Sequence, residues 1–96
     1  MIINKKNLES GEYEIVDYTD DFVLVYKNDV GKTYMYSTTD YNQDNDMITI
    51  TEIEIELIDV DGNIILDSKL LVDRLRANMI NLDYLIDKHV LIIKKI

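Results

Sequence analysis

Three glutamates spaced two residues apart form the first group whose arrangement suggests a chemical role. Glu52, Glu54 and Glu56 alternate with isoleucine and leucine. On a β-strand, side chains two residues apart lie on one face, about 6.6–6.8 Å from each other. Phosphates of one B-DNA strand follow each other about every 3.4 Å along the axis, so this spacing matches two phosphate steps. The row fits either an imitation of a nucleic-acid backbone or the solvated face of an amphipathic sheet.

A polar segment supplies the second group. Residues 38–46 (TTDYNQDND) interrupt the apolar pattern and predict an exposed loop. Three aspartates add negative charge there, and a tyrosine adds an aromatic side chain of the type enriched in protein interfaces. Together with the three glutamates they form the predicted partner-binding set, which is Glu52, Glu54, Glu56, Asp40, Asp44, Asp46 and Tyr41.

Charge is segregated along the chain. Residues 9–67 contain sixteen of the nineteen carboxylates and only Lys27 and Lys32 as bases, a net charge of −14, whereas the whole chain carries −9. This exceeds what solubility needs and imposes self-repulsion on the fold. So acidic a region repels phosphate, which argues against direct binding of nucleic acid. It favours instead a protein partner with a basic surface.

Residues for catalysis or metal binding are scarce. The chain has no cysteine and a single histidine, His89, so a Cys–His pair or a two-histidine metal site cannot form within one chain. None of the three serines lies in a nucleophile-elbow pattern, and the three glycines form no phosphate loop. We predict a protein that is not an enzyme, with no catalytic residue, metal site or cofactor.

One segment does share features with the start of a calcium loop. In Asp59-Val-Asp61-Gly-Asn63 the oxygen-bearing side chains alternate, but the glycine stands at the fourth position, whereas a calcium loop requires it at the sixth. Asp-Gly between two strand patterns is a strong hairpin signal. We therefore predict a hairpin here, and a cation-binding module is the alternative.

Residues 12–67 have the composition of short antiparallel strands. Aromatic and β-branched residues alternate between turn signals such as Asn28–Gly31 and the two-residue turn Asp61-Gly62. The segment Phe22–Lys27 is apolar on both parities, which predicts a strand covered on both faces. The predicted strands are Glu12–Tyr18, Phe22–Lys27, Lys32–Ser37, Met47–Val60 and Asn63–Leu66.

The longest of these strands changes parity partway. Ile48 and Ile50 are even-numbered, whereas Ile53, Ile55 and Leu57 are odd-numbered. Because strand side chains alternate with a period of two, one regular strand cannot place both sets on one face. The pattern predicts either a β-bulge near residues 51–52 or a bend from one packing surface to another.

The hydrophobic period becomes helical after residue 67. Asp67 or Ser68 is a suitable N-cap, and the predicted buried stripe is Leu71, Leu75, Met79, Leu82 and Ile86. Asn78 and Asn81 allow a break into two shorter helices.

Three bases lie on this helix, and the tail beyond it has a different composition. Lys69, Arg74 and Arg76 are expected to neutralise sheet carboxylates within the fold, with contact to a partner as the alternative. The tail Val90–Ile93 favours a final short strand, with an extension of the helix as the alternative. We predict one α+β domain over residues 1–96: a mainly antiparallel sheet of about five strands (residues 12–67) with a C-terminal helix on one face.

The predicted function follows from charge and size. We expect a small, acidic, non-catalytic inhibitor in the cytoplasm of a bacterial host cell, monomeric or homodimeric, that contacts neither membrane nor nucleic acid. It would occupy the basic surface of a nucleic-acid-binding protein. Phage counter-defence proteins, such as anti-CRISPR and anti-restriction proteins, share this physical character. The alternatives are an immunity protein or antitoxin that neutralises a basic toxin, and a structural or assembly component of a phage or mobile element.

Overall fold

Nine strands and three short helices make up the protein in the computed structural model, which describes residues 1–96. The strands are β1 Ile2–Asn4, β2 Tyr13–Tyr18, β3 Phe22–Lys27, β4 Lys32–Ser37, β5 Tyr41–Asn42, β6 Met47–Thr49, β7 Thr51–Ile58, β8 Ile64–Leu66 and β9 Leu91–Lys95. The helices are α1 Lys5–Glu9, α2 Ser68–Arg76 and α3 Leu82–Asp87, and a 3₁₀ turn spans Thr38–Asp40. None of the helices has the length and apolar character needed to cross a membrane.

The larger sheet is antiparallel and has six strands, with β7 as its best-connected member. Strands β2, β3, β4 and β7 follow one another across it. Ile53 of β7 pairs with β4 on one side and with Lys95 of β9 on the other. Leu57 pairs with both β8 and β9, so β8 lies on the same side of β7 as β4. The α+β class and the antiparallel sheet are therefore as predicted.

Two apolar cores lie on opposite faces of this sheet. Helices α2 and α3 cover one face, and their buried leucines and valine pack against Leu24, Ile53 and Ile55. A second sheet with the order β1-β6-β5 contributes Ile3 and Ile48 to the core on the other face, and Ile50, just after β6, joins them. Strand β3 lies between the cores: Leu24 and Val25 are both 0% exposed, as the run of apolar residues on both parities predicts.

The parity change marks the passage of the chain from one core to the other. Strand pairing is interrupted at Ile50, between β6 and β7. Ile48 and Ile50 belong to the core beneath the small sheet, whereas Ile53 and Ile55 belong to the core beneath the helices. Of the two predicted possibilities, the bend between packing surfaces is the correct one.

The predicted C-terminal helix is divided in two. Asn78 adopts a left-handed backbone conformation with φ of 55°. Its N–H donates to the Leu75 carbonyl, and the N–H of Met79 donates to the Arg74 carbonyl. These two bonds form the Schellman motif that ends many helices. Met79 therefore leaves the predicted stripe and is 62% exposed. The buried helical residues are Leu71, Val72, Leu75, Leu82 and Leu85.

A second Schellman motif ends α3, and the only histidine is its left-handed residue. His89 has φ of 54°, its N–H donates to the Ile86 carbonyl, and the N–H of Val90 donates to the Leu85 carbonyl. The chain then turns directly into β9. The predicted final strand is confirmed, and it extends to Lys95 because its backbone pairs with β7 from Leu57 back to Ile53.

Three further local predictions differ from the structure. Strand β1 and helix α1 lie in the first nine residues, where no element was predicted, and β5 lies within the predicted loop. The connection between β7 and β8 has five residues, Asp59–Asn63, and not two. The Asp59 carboxylate accepts hydrogen bonds from the N–H groups of Asp61 and Asn63, each 2.9 Å long. These bonds close a longer turn than the Asp-Gly pair alone would form.

We expect Ile50→Ala and Ile55→Ala to destabilise the protein by similar amounts although they open cavities on opposite faces. Both side chains are fully buried, and such truncations cost about 2–5 kcal/mol. Ile65→Ala is the control, because this strand residue is largely exposed, and its cost should not exceed about 1 kcal/mol. Urea denaturation measures all three. If Ile50→Ala lowered the free energy of unfolding no more than Ile65→Ala, the core beneath the small sheet would contribute no measurable stability.

We expect His89→Gly to stabilise the protein, because glycine adopts positive φ without the cost of about 1–2 kcal/mol that other residues bear. The greater freedom of glycine in the unfolded chain removes about 0.5–1 kcal/mol of this gain. Thermal unfolding should show a higher midpoint for His89→Gly than for the native protein. The matched variant His89→Ala should show no such increase. An equal response of the two variants would contradict a conformational role for this position.

Candidate protein-binding surface

The three glutamates of β7 do form one row, on the sheet face away from α2 and α3. Two of them are ion-paired: Glu52 Oε1 lies 3.4 Å from Lys32 Nζ, and Glu56 Oε2 lies 2.9 Å from Lys94 Nζ. Glu54 lies opposite Lys94 in the strand register but forms no ion pair. The row therefore alternates with lysines, and its middle carboxylate is the most exposed.

In the 38–46 segment, two of the three aspartates stabilise the loop itself. Asp40 Oδ2 accepts a 3.2 Å hydrogen bond from the N–H of Ser37 and so caps the 3₁₀ turn. The Asp46 carboxylate accepts a hydrogen bond from the hydroxyl of Tyr41, which raises the pKa of that phenol. The Asp44 carboxylate is exposed, with no hydrogen bond or ion pair. Of the three, Asp44 is the one free to meet a partner.

Tyr41 has a packing role as well as a polar one. Its ring is half-buried against the core beneath the small sheet, and Lys5 Nζ lies 5.5 Å from the ring centroid. Lys5 also donates its backbone N–H to the Asp46 carbonyl over 2.8 Å. A base therefore sits beside this acidic loop, and the loop is only partly negative.

The structure brings the loop near carboxylates that were not predicted as site residues. The N–H of Thr38 donates to the Asp21 carbonyl over 3.0 Å, which joins this loop to the β2–β3 turn. Four exposed aspartates line a shallow pocket there, and we call them the acidic end: Asp20, Asp21, Asp83 and Asp87. The sequence features that could have indicated this cluster are the adjacent Asp20 and Asp21 in a turn, and Asp83 and Asp87 one helical turn apart. The glutamate row lies elsewhere on the larger sheet.

Among the helix bases, Arg76 behaves as predicted. Its Nε lies 2.8 Å from Glu14 Oε2, and its guanidinium lies 5.4 Å from the ring centroid of Tyr26. Glu14 Oε2 is shielded from solvent, but none of its contacts has the geometry of a hydrogen bond. Arg76 and Glu14 therefore attract each other chiefly as an ion pair. Neither Lys69 nor Arg74 forms an ion pair. Neutralisation by the helix is therefore confined to one arginine.

Most of the carboxylates form no ion pair. Ion pairs within 4 Å involve only Glu14, Glu52, Glu56 and Asp73 as acids, and only Lys32, Arg76 and Lys94 as bases. Fifteen of the nineteen carboxylates are thus unpaired. No cation lies within 4 Å of these carboxylates, so they give the surface a net negative field.

The tyrosines divide into packing and exposed members. Tyr13 and Tyr34 are buried and meet edge to face, with ring centroids 5.8 Å apart. Burial raises the pKa of the Tyr13 and Tyr36 phenols. Tyr18 and Tyr84 are instead 67% and 59% exposed. Tyr84 lies on α3 and is not among the predicted site residues.

The Asp59 segment forms a turn whose carboxylate faces its own loop. Besides the two backbone N–H groups, the side-chain amide of Asn63 donates to Asp59 Oδ2 over 3.3 Å. These bonds lower the pKa of Asp59, and the bond from the Asn63 backbone contributes most. No three His, Cys, Asp or Glu side chains converge in a group that could hold a metal ion.

No protein-family model matches the chain, and no curated protein or solved structure is significantly similar to it.

We expect the Asp59 carboxyl to titrate below its ordinary range, because its ionised form accepts three hydrogen bonds. Since the folded-state pKa is depressed, the stabilisation is present above the unfolded pKa and is lost as the pH falls through the folded one. Carboxyl NMR shifts measure the titration.

The variant Asn63→Ala removes the amide donor and keeps the backbone donors, so it should reverse the depression only in part. A titration of Asp59 within the ordinary range of aspartate in the native protein would contradict the closed turn.

Proposed function

We propose that the protein is a non-catalytic inhibitor that binds another protein in the bacterial cytoplasm and occupies its basic nucleic-acid-binding surface. The observation that carries the proposal is the set of fifteen unpaired carboxylates on a chain of net charge −9. A surface of this kind steers a basic partner into contact and disfavours neutral or acidic ones. It is thus suited to compete with nucleic acid for the same groove.

The proposed contact residues differ in how readily they can meet a partner. Glu54 and Asp44 are exposed without any ionic partner, and they are the primary candidates. Glu52 and Glu56 are held by lysines whose side chains are half-exposed. The Glu52 and Glu56 side chains are themselves only 29% and 15% exposed. Bases of a partner can therefore reach them less readily than Glu54 or Asp44.

Affinity capture tests the proposal. The protein, immobilised through a tag, is exposed to a bacterial lysate that has been freed of nucleic acid, and retained proteins are identified by mass spectrometry. We expect a nucleic-acid-binding protein that is released by added DNA or RNA and by about 0.5 M salt, at which exposed charges are screened within a few ångströms. If neither nucleic acid nor salt weakened the retention, the mimic mechanism would be wrong.

Paired charge reversals test the proposed contact residues. We expect Asp44→Lys with Glu54→Lys to weaken capture by about tenfold or more, since each reversal replaces an attraction with a repulsion at the interface. The matched control is Asp29→Lys with Asp61→Lys, two exposed hairpin residues whose reversal changes the net charge equally. Equal weakening by both pairs would mean that net charge alone, and no defined surface, determines binding.

A further inference from the structure

A groove separates the edge strand β2 from the turn that joins α2 to α3. Its volume is about 430 Å³. Ile80 and the buried Leu85 give it an apolar lining, and the largely exposed side chains of Met79 and Tyr84 stand beside them. Methionine and tyrosine are enriched in protein interfaces. The groove thus combines an apolar lining with side chains typical of contact surfaces.

Asp17 is the only charged residue that lines the groove. A register shift between Ile15 and Asp17 interrupts the regular pairing of β2 with β3. The Asp17 carboxylate accepts one hydrogen bond at each oxygen: Oδ2 from the N–H of Leu82 over 3.0 Å, and Oδ1 from the N–H of Tyr18 over 2.8 Å. A carboxylate has about four acceptor positions. Each oxygen therefore retains one, an arrangement that suits a donor with two parallel N–H groups.

The ring of Tyr84, which lines the groove with Asp17, already has the Lys88 ammonium over it, so an incoming guanidinium displaces that lysine. Lys88 Nζ lies 5.5 Å from the centroid of the Tyr84 ring, within the range of a cation–π contact. A guanidinium is planar, more weakly hydrated than an ammonium, stacks on aromatic rings and binds carboxylates through two N–H groups. Arginine, more than lysine, matches a groove that offers an aromatic ring, an apolar lining and a carboxylate.

We propose that this groove binds an arginine side chain on the basic surface of a protein partner. The guanidinium pairs with Asp17, and the aliphatic stem lies along Met79 and Tyr84. The acidic end lies on α3 as well, through Asp83 and Asp87, and supplies the negative rim that attracts the rest of a basic surface. The inference rests on the proposed function and deepens it, because it names an anchoring contact outside the glutamate row.

Peptide binding to the intact protein tests the groove without a known partner. Hexa-arginine and hexalysine peptides are titrated in about 0.15 M salt, with calorimetry for affinity and NMR amide shifts for location. We expect tighter binding of the arginine peptide, with the largest shifts at residues 17, 79 and 84. Tyr84→Ala should weaken arginine binding about two- to fivefold, the size of an exposed cation–π contact. It should also reduce the preference over lysine.

Ile64→Ala is the matched control, since this side chain is 57% exposed, close to the 59% of Tyr84, and lies outside the groove. It should leave the affinity unchanged. Equal affinity for both peptides, shifts confined to Glu54 and Asp44, or equal effects of Tyr84→Ala and Ile64→Ala would overturn the groove.

The two proposals fail separately. If a captured partner competes with nucleic acid but the groove variants have no effect, only the arginine site is wrong. If the groove prefers arginine but no captured partner is displaced by nucleic acid, only the mimic mechanism is wrong.

Discussion

The structure depends on a single chain segment that serves two apolar cores in succession. Residues 47–58 first form the central strand of the small sheet, where Ile48 and the following Ile50 are buried, and then run beneath the helices, where Ile53 and Ile55 are buried. In 96 residues neither core alone is large. Because β2, β3 and β4 form the layer between them, the two cores use the same backbone.

The distribution of charge follows from this layered plan. Carboxylates occupy turns, edge positions and the uncovered part of the larger sheet, where solvent reduces their mutual repulsion. Only three bases compensate them directly. The fold therefore tolerates the negative charge without neutralising it, and the excess remains available to a partner.

Local pattern predicted the middle of the chain and the final strand well, but it predicted no element in the first nine residues. The bounds of β3 and β4 agree with the prediction because their residues alternate between clear turns. Strand β1 has three residues and exists through pairing with β6, more than forty residues later. Met79 was placed in a helical stripe because residue spacing does not reveal that Asn78 takes a left-handed conformation. Of the predicted site, the glutamates share one face as expected, but their lysine partners come from β4 and β9.

The sequence by itself determined the strand-rich middle, the change of parity near residues 51–52 and the size and sign of the charge. Each of these depends on composition or on alternation within a few residues. Only the tertiary structure decided which carboxylates are paired and which stand together. Asp17 meets the backbone of Leu82 across 65 positions, and Asp21 lies beside Asp83 in one pocket. Such neighbours are set by the path of the whole chain, because burial of two cores, and not attraction between the charged groups, brings them together.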